Sequence, residues 1–339
     1  RLMVSCIDDP DRPDQPALAA MRRHTPHEIK VGLLTDDERL GIVREIPSVA
    51  AKTLDEAQVR LLLDNEATRN PLFLLVALEE LRGFGSFEEL NRKIAALPQT
   101  GDTLTAIFQQ VIRRLGEDFN AVTVKEVLTL LACSRRGLSE RELLDLLEGG
   151  HVRIEESAGD LFPILRQLRP YLQSRSPLLG FYHRHLAKAT DQEFFNSNDN
   201  QRLAGHQRLA EYFHGQDYFF ESLEAQRERA MRLPPTPRPA NVRKVDELPW
   251  QRLEAARHSE KWTEIEKLFT DLFFLEAKAE GRMIFELVGD LAAAAVLLPK
   301  ARRHHDVFQS FQKALAFDAE FLNRHPTTLL QCLWNTCWW

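Results

Sequence analysis

The stretch Leu104-Thr105-Ala106-Ile107-Phe108-Gln109-Gln110-Val111-Ile112-Arg113-Arg114-Leu115 decides the fold class. Its apolar residues recur at i, i+3, i+4, i+7, i+8 and i+11, the single buried stripe of an amphipathic α-helix. Reading outward, Val124, Val127, Leu128 and Leu131 continue with a second helix. Gly137 separates it from a third, in which Leu143, Leu144, Leu146 and Leu147 fill the inner face and Gly149-Gly150 stop it. Phe162, Ile164, Leu165 and Leu168 mark a fourth. The period then changes. Tyr171-Leu172 and Leu178–Tyr182 flank Ser174–Pro177, which reads as two short strands and a turn. Several short helices followed by a small hairpin is the layout of a winged helix.

Toward the N-terminus, Leu2–Ile7 is an apolar run ended by Asp8, Asp9 and Pro10, and it reads as a short buried strand; Ile29–Leu34 reads as a second. Helix start signals follow. Thr35 and Glu38, Thr53 and Glu56, Ser86 and Glu89, and Ser139 and Glu142 all have capping-box spacing. In that box the hydroxyl accepts an N–H of the first turn while the glutamate accepts the N–H of the cap residue. Toward the C-terminus, Arg202 to Met231 is helical and carries Tyr212, Phe213, Tyr218, Phe219 and Phe220. Leu233 to Pro249 holds five of the 17 prolines, which predicts a loop and a candidate boundary. Leu253, Trp262, Ile265, Leu268 and Leu272, then Phe285–Leu298, then Val307–Phe321 resume as helices. A right-handed stack of helical hairpins accounts for them. The fold class is mainly α.

Across 339 residues, 44 Lys+Arg stand against 50 Asp+Glu, a formal charge of −6. That balance argues against a general nucleic-acid coat, which needs a basic surplus. With 44% apolar and 28% charged residues, the composition is that of an ordinary globular protein. The longest apolar candidate, Leu291–Pro299, falls far short of the roughly 20 residues of a membrane span. Four cysteines at 6, 133, 332 and 337 form no CxxC pair and no signal peptide is evident, so a reducing, cytoplasmic setting is expected. The chain starts on Arg1 rather than Met and stops on Trp338-Trp339, ends that read as those of an excerpt.

The search for chemistry returns mostly exclusions. A phosphate-cradling GxxxxGK[ST] loop needs a Gly-Lys pair, and none of the 15 glycines precedes a lysine. Gly83 and Gly85 lack the third glycine of a dinucleotide fingerprint. His183 and His185, and the His304-His305-Asp306 cluster on what reads as an exposed helix, have no HExxH or cysteine pair beside them, so no metal is expected. Cys332 and Cys337 read as buried thiols. A winged helix raises DNA recognition. The helix Ser139–Glu148, taken as the reading element, carries Glu140, Glu142, Asp145 and Glu148 against Arg141 alone, which disfavours it.

The order of several short motifs resembles one protein class. Val4-Ser5 after a strand, Leu34-Thr35-Asp36-Asp37-Glu38-Arg39, Asn70-Pro71-Leu72-Phe73-Leu74, Glu79-Glu80-Leu81-Arg82 and Phe84-Gly85 resemble the C-terminal part of a NACHT-type module of the STAND signalling NTPases. The next stretch, ending in Phe181-Tyr182-His183, resembles their winged-helix domain. Leu248-Pro249-Trp250, Trp262 and Asp271–Lys278 are similar to the helical segment that precedes WD-repeat propellers in NACHT–WD proteins, and Leu333–Trp339 looks like the approach to a first blade.

The resemblance implies a remnant of an α/β nucleotide-binding domain at 1–35, a helical lid at 36–98, a winged helix at 99–195 and a helical (superhelical) arm at 196–339. It implies ATP or ADP, with Mg, as the cofactor of the intact parent. Pro71 would lie against the adenine, His183 would touch the ADP phosphate in the resting state, and Ser5 lies near the first sensor position. The phosphate loop and the magnesium-binding strand would precede Arg1, so no catalytic residue is assigned and no hydrolysis is expected of these residues alone. The parent would be a nucleotide-controlled switch with protein partners on the arm and a C-terminal repeat domain, a homo-oligomer when activated, with no nucleic acid and no membrane. The competing reading is an α-helical protein-interaction scaffold without nucleotide use; a winged-helix regulator of transcription comes third.

Overall fold

The computed structural model of the chain describes residues 16–24, 27–49, 54–82, 87–149, 157–175, 177–195, 199–231 and 236–337. It falls into two compact units, Arg1–Gly101 and Asp102–Trp339. The expected strand Leu2–Ile7 lies outside the described residues.

The first unit is helical: α1 (Pro16–Arg22), α2 (Asp36–Val49), α3 (Glu56–Leu63), α4 (Pro71–Arg82) and α5 (Phe87–Ala95). Val43, Leu62, Phe73, Leu74, Ala77, Leu81 and Ile94 form its core. The expected strand at Ile29–Leu34 is corrected. Residues 27–35 have no regular structure and leave Ile29, Val31 and Leu33 exposed, because apolar alternation makes a strand only where a sheet offers a partner. The capping box at Thr35 and Glu38 is present: the Thr35 N–H donates to Glu38 Oε2 at 2.8 Å and the Glu38 N–H donates to Thr35 Oγ1 at 3.3 Å. For α3 the box sits two residues later than the spacing predicted, with Asp55 as cap and Gln58 closing it. Ser86 and Thr53 lie outside the described residues.

The second unit begins with α6 (Thr103–Asp118), whose Ile107, Phe108, Val111, Ile112 and Leu115 are all buried. Then come α7 (Ala121–Cys133), β1 (Leu138–Ser139), α8 (Glu140–Glu148), α9 (Ser157–Leu168), β2 (Leu172–Arg175) and β3 (Leu178–Phe181). The three strands form one antiparallel sheet in the order β1-β3-β2, with Leu138 opposite Leu179 and Leu172 opposite Phe181. Helix–strand–helix–helix–hairpin with this strand order is the winged-helix arrangement. Ser139 and Glu142 close the second expected capping box, at 2.8 and 3.1 Å.

The chain continues through α10 (Arg184–Thr190), a π-helical turn at Asp191–Phe195, α11 (Asp199–His214) and α12 (Leu223–Ala230). The arm follows as α13 (Val242–Ser259), α14 (Thr263–Thr270), α15 (Leu272–Glu280), α16 (Ile284–Leu297), α17 (His305–Phe317), α18 (Ala319–Arg324) and α19 (Leu329–Cys337). Successive helices from α13 to α17 pack on one another, and Phe269, Phe274 and Phe308 meet edge to face at 5.6 Å. The proline-rich loop is corrected in its second half. From Val242 the chain is helix, capped by Asn241 and running through a buried Pro249. Burial of Val245, Leu248 and Leu253, with α13 packed along α11, outweighs the hydrogen bond that a helix-interior proline forfeits. No described helix is long and apolar enough to cross a membrane.

Candidate functional site

Of the three residues singled out for a nucleotide, Ser5 lies outside the described residues. Pro71 is the first residue of α4 and is exposed, with Asn70 as cap; the Asn70 Oδ1 accepts the Leu72 N–H at 3.0 Å. His183 belongs to the other unit. It is the half-buried cap residue of α10, and its ring makes no hydrogen bond among the described residues. Its edge packs against Tyr182, centroids 4.5 Å apart. Burial lowers its pKa, so the imidazole is neutral at pH 7.

Beside it, His185 Nδ1 stands 3.3 Å from the Thr105 hydroxyl. Asp102 caps α6, accepts the Thr105 hydroxyl and is paired with Lys188 at 2.7 Å. Burial pushes the Asp102 carboxyl up, but the bonds from Lys188 and Thr105 outweigh it and hold the group down to about 2. The contacts of Lys188 and His185 join α10 to the start of α6, while Asp102 and Thr105 also cap α6 itself.

The densest chemistry in the molecule was not foreseen. Residues 134–137, the turn between α7 and β1, dock on a row of buried charges from the arm. Glu247, fully buried in α13, accepts the backbone N–H groups of Arg135 and Arg136 at 3.0 and 3.2 Å and the Gln251 Nε2 at 3.0 Å. The Arg135 guanidinium forks onto Asp290 of α16 at 2.9 and 3.2 Å and donates to the Asp246 carbonyl at 3.0 Å. Lys278 of α15, wholly shut off from solvent, pairs with the same Asp290 through Oδ2, which it shares with Arg135. Arg243 donates to Glu142 at 2.8 and 3.2 Å and to the Gly137 carbonyl at 3.0 Å. Gln251 also donates to the Cys133 carbonyl at the end of α7, and its Oε1 lies 2.7 Å from His206 Nδ1.

Burial pushes the Glu247 carboxyl up against the pull of Arg243 and the two backbone donors, and it pulls the Lys278 ammonium down against Asp290. Such a network is a joint, with its partners provided by six helices (α7, α8, α11, α13, α15 and α16) and a turn. In sequence its members are single charges spaced as on a solvated face. Only the unexpected apolar flanks of Lys278 (Ala277 and Ala279) hinted otherwise.

Three readings of the sequence are corrected. The helix leading into the hairpin is α9, so α8 is not the element that a winged helix offers to DNA. The acidic residues of α8 instead hold neighbouring helices: Glu142 accepts from Arg243 of α13, and Asp145 accepts the Tyr212 hydroxyl of α11 at 3.0 Å. On α9 the exposed residues Phe162, Pro163, Arg166 and Gln167 include one cation, a poor phosphate-binding face. Cys332 is half-buried and Cys337 exposed, because α19 has neighbours on one side only among the described elements. His305 is buried, and His304 stands 3.2 Å from Glu266, so this cluster is part of the packing between α14 and the start of α17. Among the described residues no group of three His, Cys, Asp or Glu is placed to hold a metal.

No protein-family model matches the chain, and no solved structure matches it. A TPR repeat-containing protein of Dictyostelium discoideum is 24% identical over 259 residues, 76% of this chain and 14% of that protein. Telomerase protein component 1 of Mus musculus is 28% identical over 123 residues, 35% of this chain and 5% of its own length. The same component of Rattus norvegicus is 28% identical over 167 residues, 45% and 6%. The chain thus spans a seventh or less of each of these relatives.

Proposed function

We propose that the chain is a helical protein-interaction scaffold, in which a winged helix serves as the mount for the arm. The observation that carries this reading is the buried joint at Glu247, Arg135, Asp290 and Lys278. A joint so thoroughly desolvated holds orientation, while the arm turns Phe273 and Phe285 to solvent. Exposed aromatic side chains on a rigid helical support are what a binding surface needs. Likeness to a repeat-containing protein and to a telomerase protein component agrees with a role in assemblies.

A second reading places this scaffold under nucleotide control, as part of a NACHT-type switch. It is favoured by the state of His183, a neutral ring at a helix start with no hydrogen-bond partner among the described residues, and by the exposed Pro71. Each suits a nucleotide contact taken by itself: an exposed proline can lie against a base, and an imidazole N–H can donate to a phosphate oxygen. The bound nucleotide would supply the free energy that distinguishes two states of the protein. No Gly-Lys pair occurs in the chain, so the main phosphate contacts and the Mg site would lie on other residues.

One experiment separates the readings. A photo-crosslinking residue replaces Phe273 or Phe285 in the intact protein in its own cells, with exposed Glu117 as the control position. Discrete protein adducts from the arm and none from position 117 are expected. Equal yields at all three positions reject the scaffold. Adducts that change between ADP and ATP, and lose that dependence with His183→Ala, establish the switch; adducts indifferent to nucleotide remove it.

A further inference from the structure

The chain has three serines or threonines directly before a proline: Thr25, Ser176 and Thr236. Only Thr236, in Pro234-Pro235-Thr236-Pro237, also has a proline two residues before it. A proline on its C-terminal side confines a residue to extended backbone and cannot itself donate to a helix or a sheet. An extended hydroxyl residue followed by proline is what the groove of a proline-directed kinase takes. Thr236 and Pro237 are both exposed and lie in a stretch without regular structure between α12 and α13. The backbone of this stretch is anchored from the next residue onward. The Arg238 N–H donates to Glu280, the Pro239 carbonyl accepts the Phe220 N–H at 2.9 Å, and Ala240 bridges to Phe219. Thr236 is held by a side chain, Arg229 of α12, whose Nη1 donates to the Thr236 hydroxyl and to the Pro237 carbonyl, each at 2.9 Å.

We propose that Thr236 is a phosphorylation site for a proline-directed serine/threonine kinase, and that Arg229 receives the phosphate. In the reaction the Thr236 Oγ1 attacks the γ-phosphorus of ATP. A phosphate ester bond forms at Thr236, the bond to ADP breaks, and the hydroxyl proton passes to the aspartate base of the kinase. Positions 236 and 237 belong to no helix or strand, so the hydroxyl enters a kinase site by giving up the bonds to Arg229. The guanidinium suits the product because its edges have different partners. Its Nε and Nη2 face Glu221, with Nε 2.9 Å from Oε1, while Nη1 serves the loop. A phosphate on Oγ1 replaces a neutral acceptor at Nη1 by an anionic one, and charge-assisted bonds to guanidinium are the stronger kind. The carboxylates nearby already hold guanidinium partners, Glu221 with Arg229 and Glu280 with Arg238, which offsets their repulsion of the phosphate. The modification therefore tightens α12 onto the loop that leads into the arm.

The site stands apart from both readings of function, since it needs neither a bound partner nor a nucleotide held by this chain. Its test has two parts. The purified full chain is incubated with a proline-directed kinase and ATP, and the phosphate is located by mass spectrometry. Incorporation at Thr236 is expected ahead of Thr25 and Ser176, and Thr236→Val should remove it. Pro237→Ala should lower its rate at least about tenfold, the loss of a ring from the pocket that reads it. Thr236 and Pro237 are exposed, so both variants should melt as the wild type does. Hydrogen exchange then compares the phosphorylated and unmodified chains. Amides of α12 should slow about two- to fivefold, the effect of a partly exposed ion pair. Arg229→Lys keeps a cation for Glu221 but loses the second edge, and should cancel that slowing. No phosphate at Thr236, or equal incorporation at Thr25 or Ser176, overturns the site. So does its absence from the intact protein isolated from its own cells with phosphatases inhibited. Phosphorylation that leaves α12 unchanged, or slows it equally in Arg229→Lys, overturns the role of Arg229.

Discussion

Gly137 shows how much a single position can carry. Its φ is +96°, and a Cβ placed there would sit 2.2 Å from the Leu179 carbonyl oxygen. The glycine lets β1 approach β3 at the point where Arg243 reaches its carbonyl. Gly137→Ala combines left-handed strain with a backbone collision that no rotamer relieves. It should cost about 2–4 kcal/mol of stability, in the range of severe single substitutions. Gly159→Ala, on α9 with nothing within 4 Å, should instead stabilise by about 0.5–1 kcal/mol through helix propensity. Urea unfolding of the two variants gives both numbers. The sequence pointed to Gly137 as a break between helices. The need for glycine itself comes from a strand about forty residues away, which no local pattern reveals. Ser139 and Glu142 make a similar case. Their capping box was readable because it spans three residues, whereas the second duty of Glu142, holding Arg243, was not.

At the scale of elements, α15 and α16 are locked by Lys278 and Asp290, a pair shut off from water and shared with Arg135. Removing one member strands the other in a low-dielectric site, so Lys278→Met should cost about 3–5 kcal/mol. Asp290→Asn should be comparably harmful. The double variant should cost less than the sum by at least about 1 kcal/mol, the sign of direct coupling. Additive losses would show that the pair does not act as a unit. Element identity followed the apolar period wherever that period was clean, as in α6 and α7. It failed at α13, where prolines suggested a loop, because packing against α11 decides the conformation there. It failed again at Ile29–Leu34, where alternation was present but no neighbouring strand was.

On the scale of the whole molecule, the joint between winged helix and arm sets acid stability. His206, buried in α11, bonds to Gln251 and lies near Arg202 and His258. Burial lowers its pKa from 6.5 to about 4. A histidine held neutral in the folded state contributes stability that is complete above its unfolded pKa and is lost as pH falls. Between pH 6.5 and about 4 the loss approaches 1.4 kcal/mol per pH unit, on the order of 2–3 kcal/mol in all. His206→Gln keeps a partner for Gln251 and should flatten that slope. Glu247 titrates in both proteins and cancels from the comparison. Hydrogen exchange should show the 134–137 turn and α13 losing protection together as pH falls. If the turn opens while α13 stays protected, the joint is not the unit that acid breaks.

The mainly helical class, the winged-helix order and the absence of a Gly-Lys loop were all legible in the chain alone, since each rests on short-range period, capping chemistry or composition. Tertiary structure alone decided which charges are buried. It also decided where Pro249 can stand. Glu247, Lys278 and Asp290 look in sequence like surface charges, because the cost of desolvating a charge is met by partners 12 to 155 residues away. Distance along the chain hides such partners, and folding brings them within 3 Å.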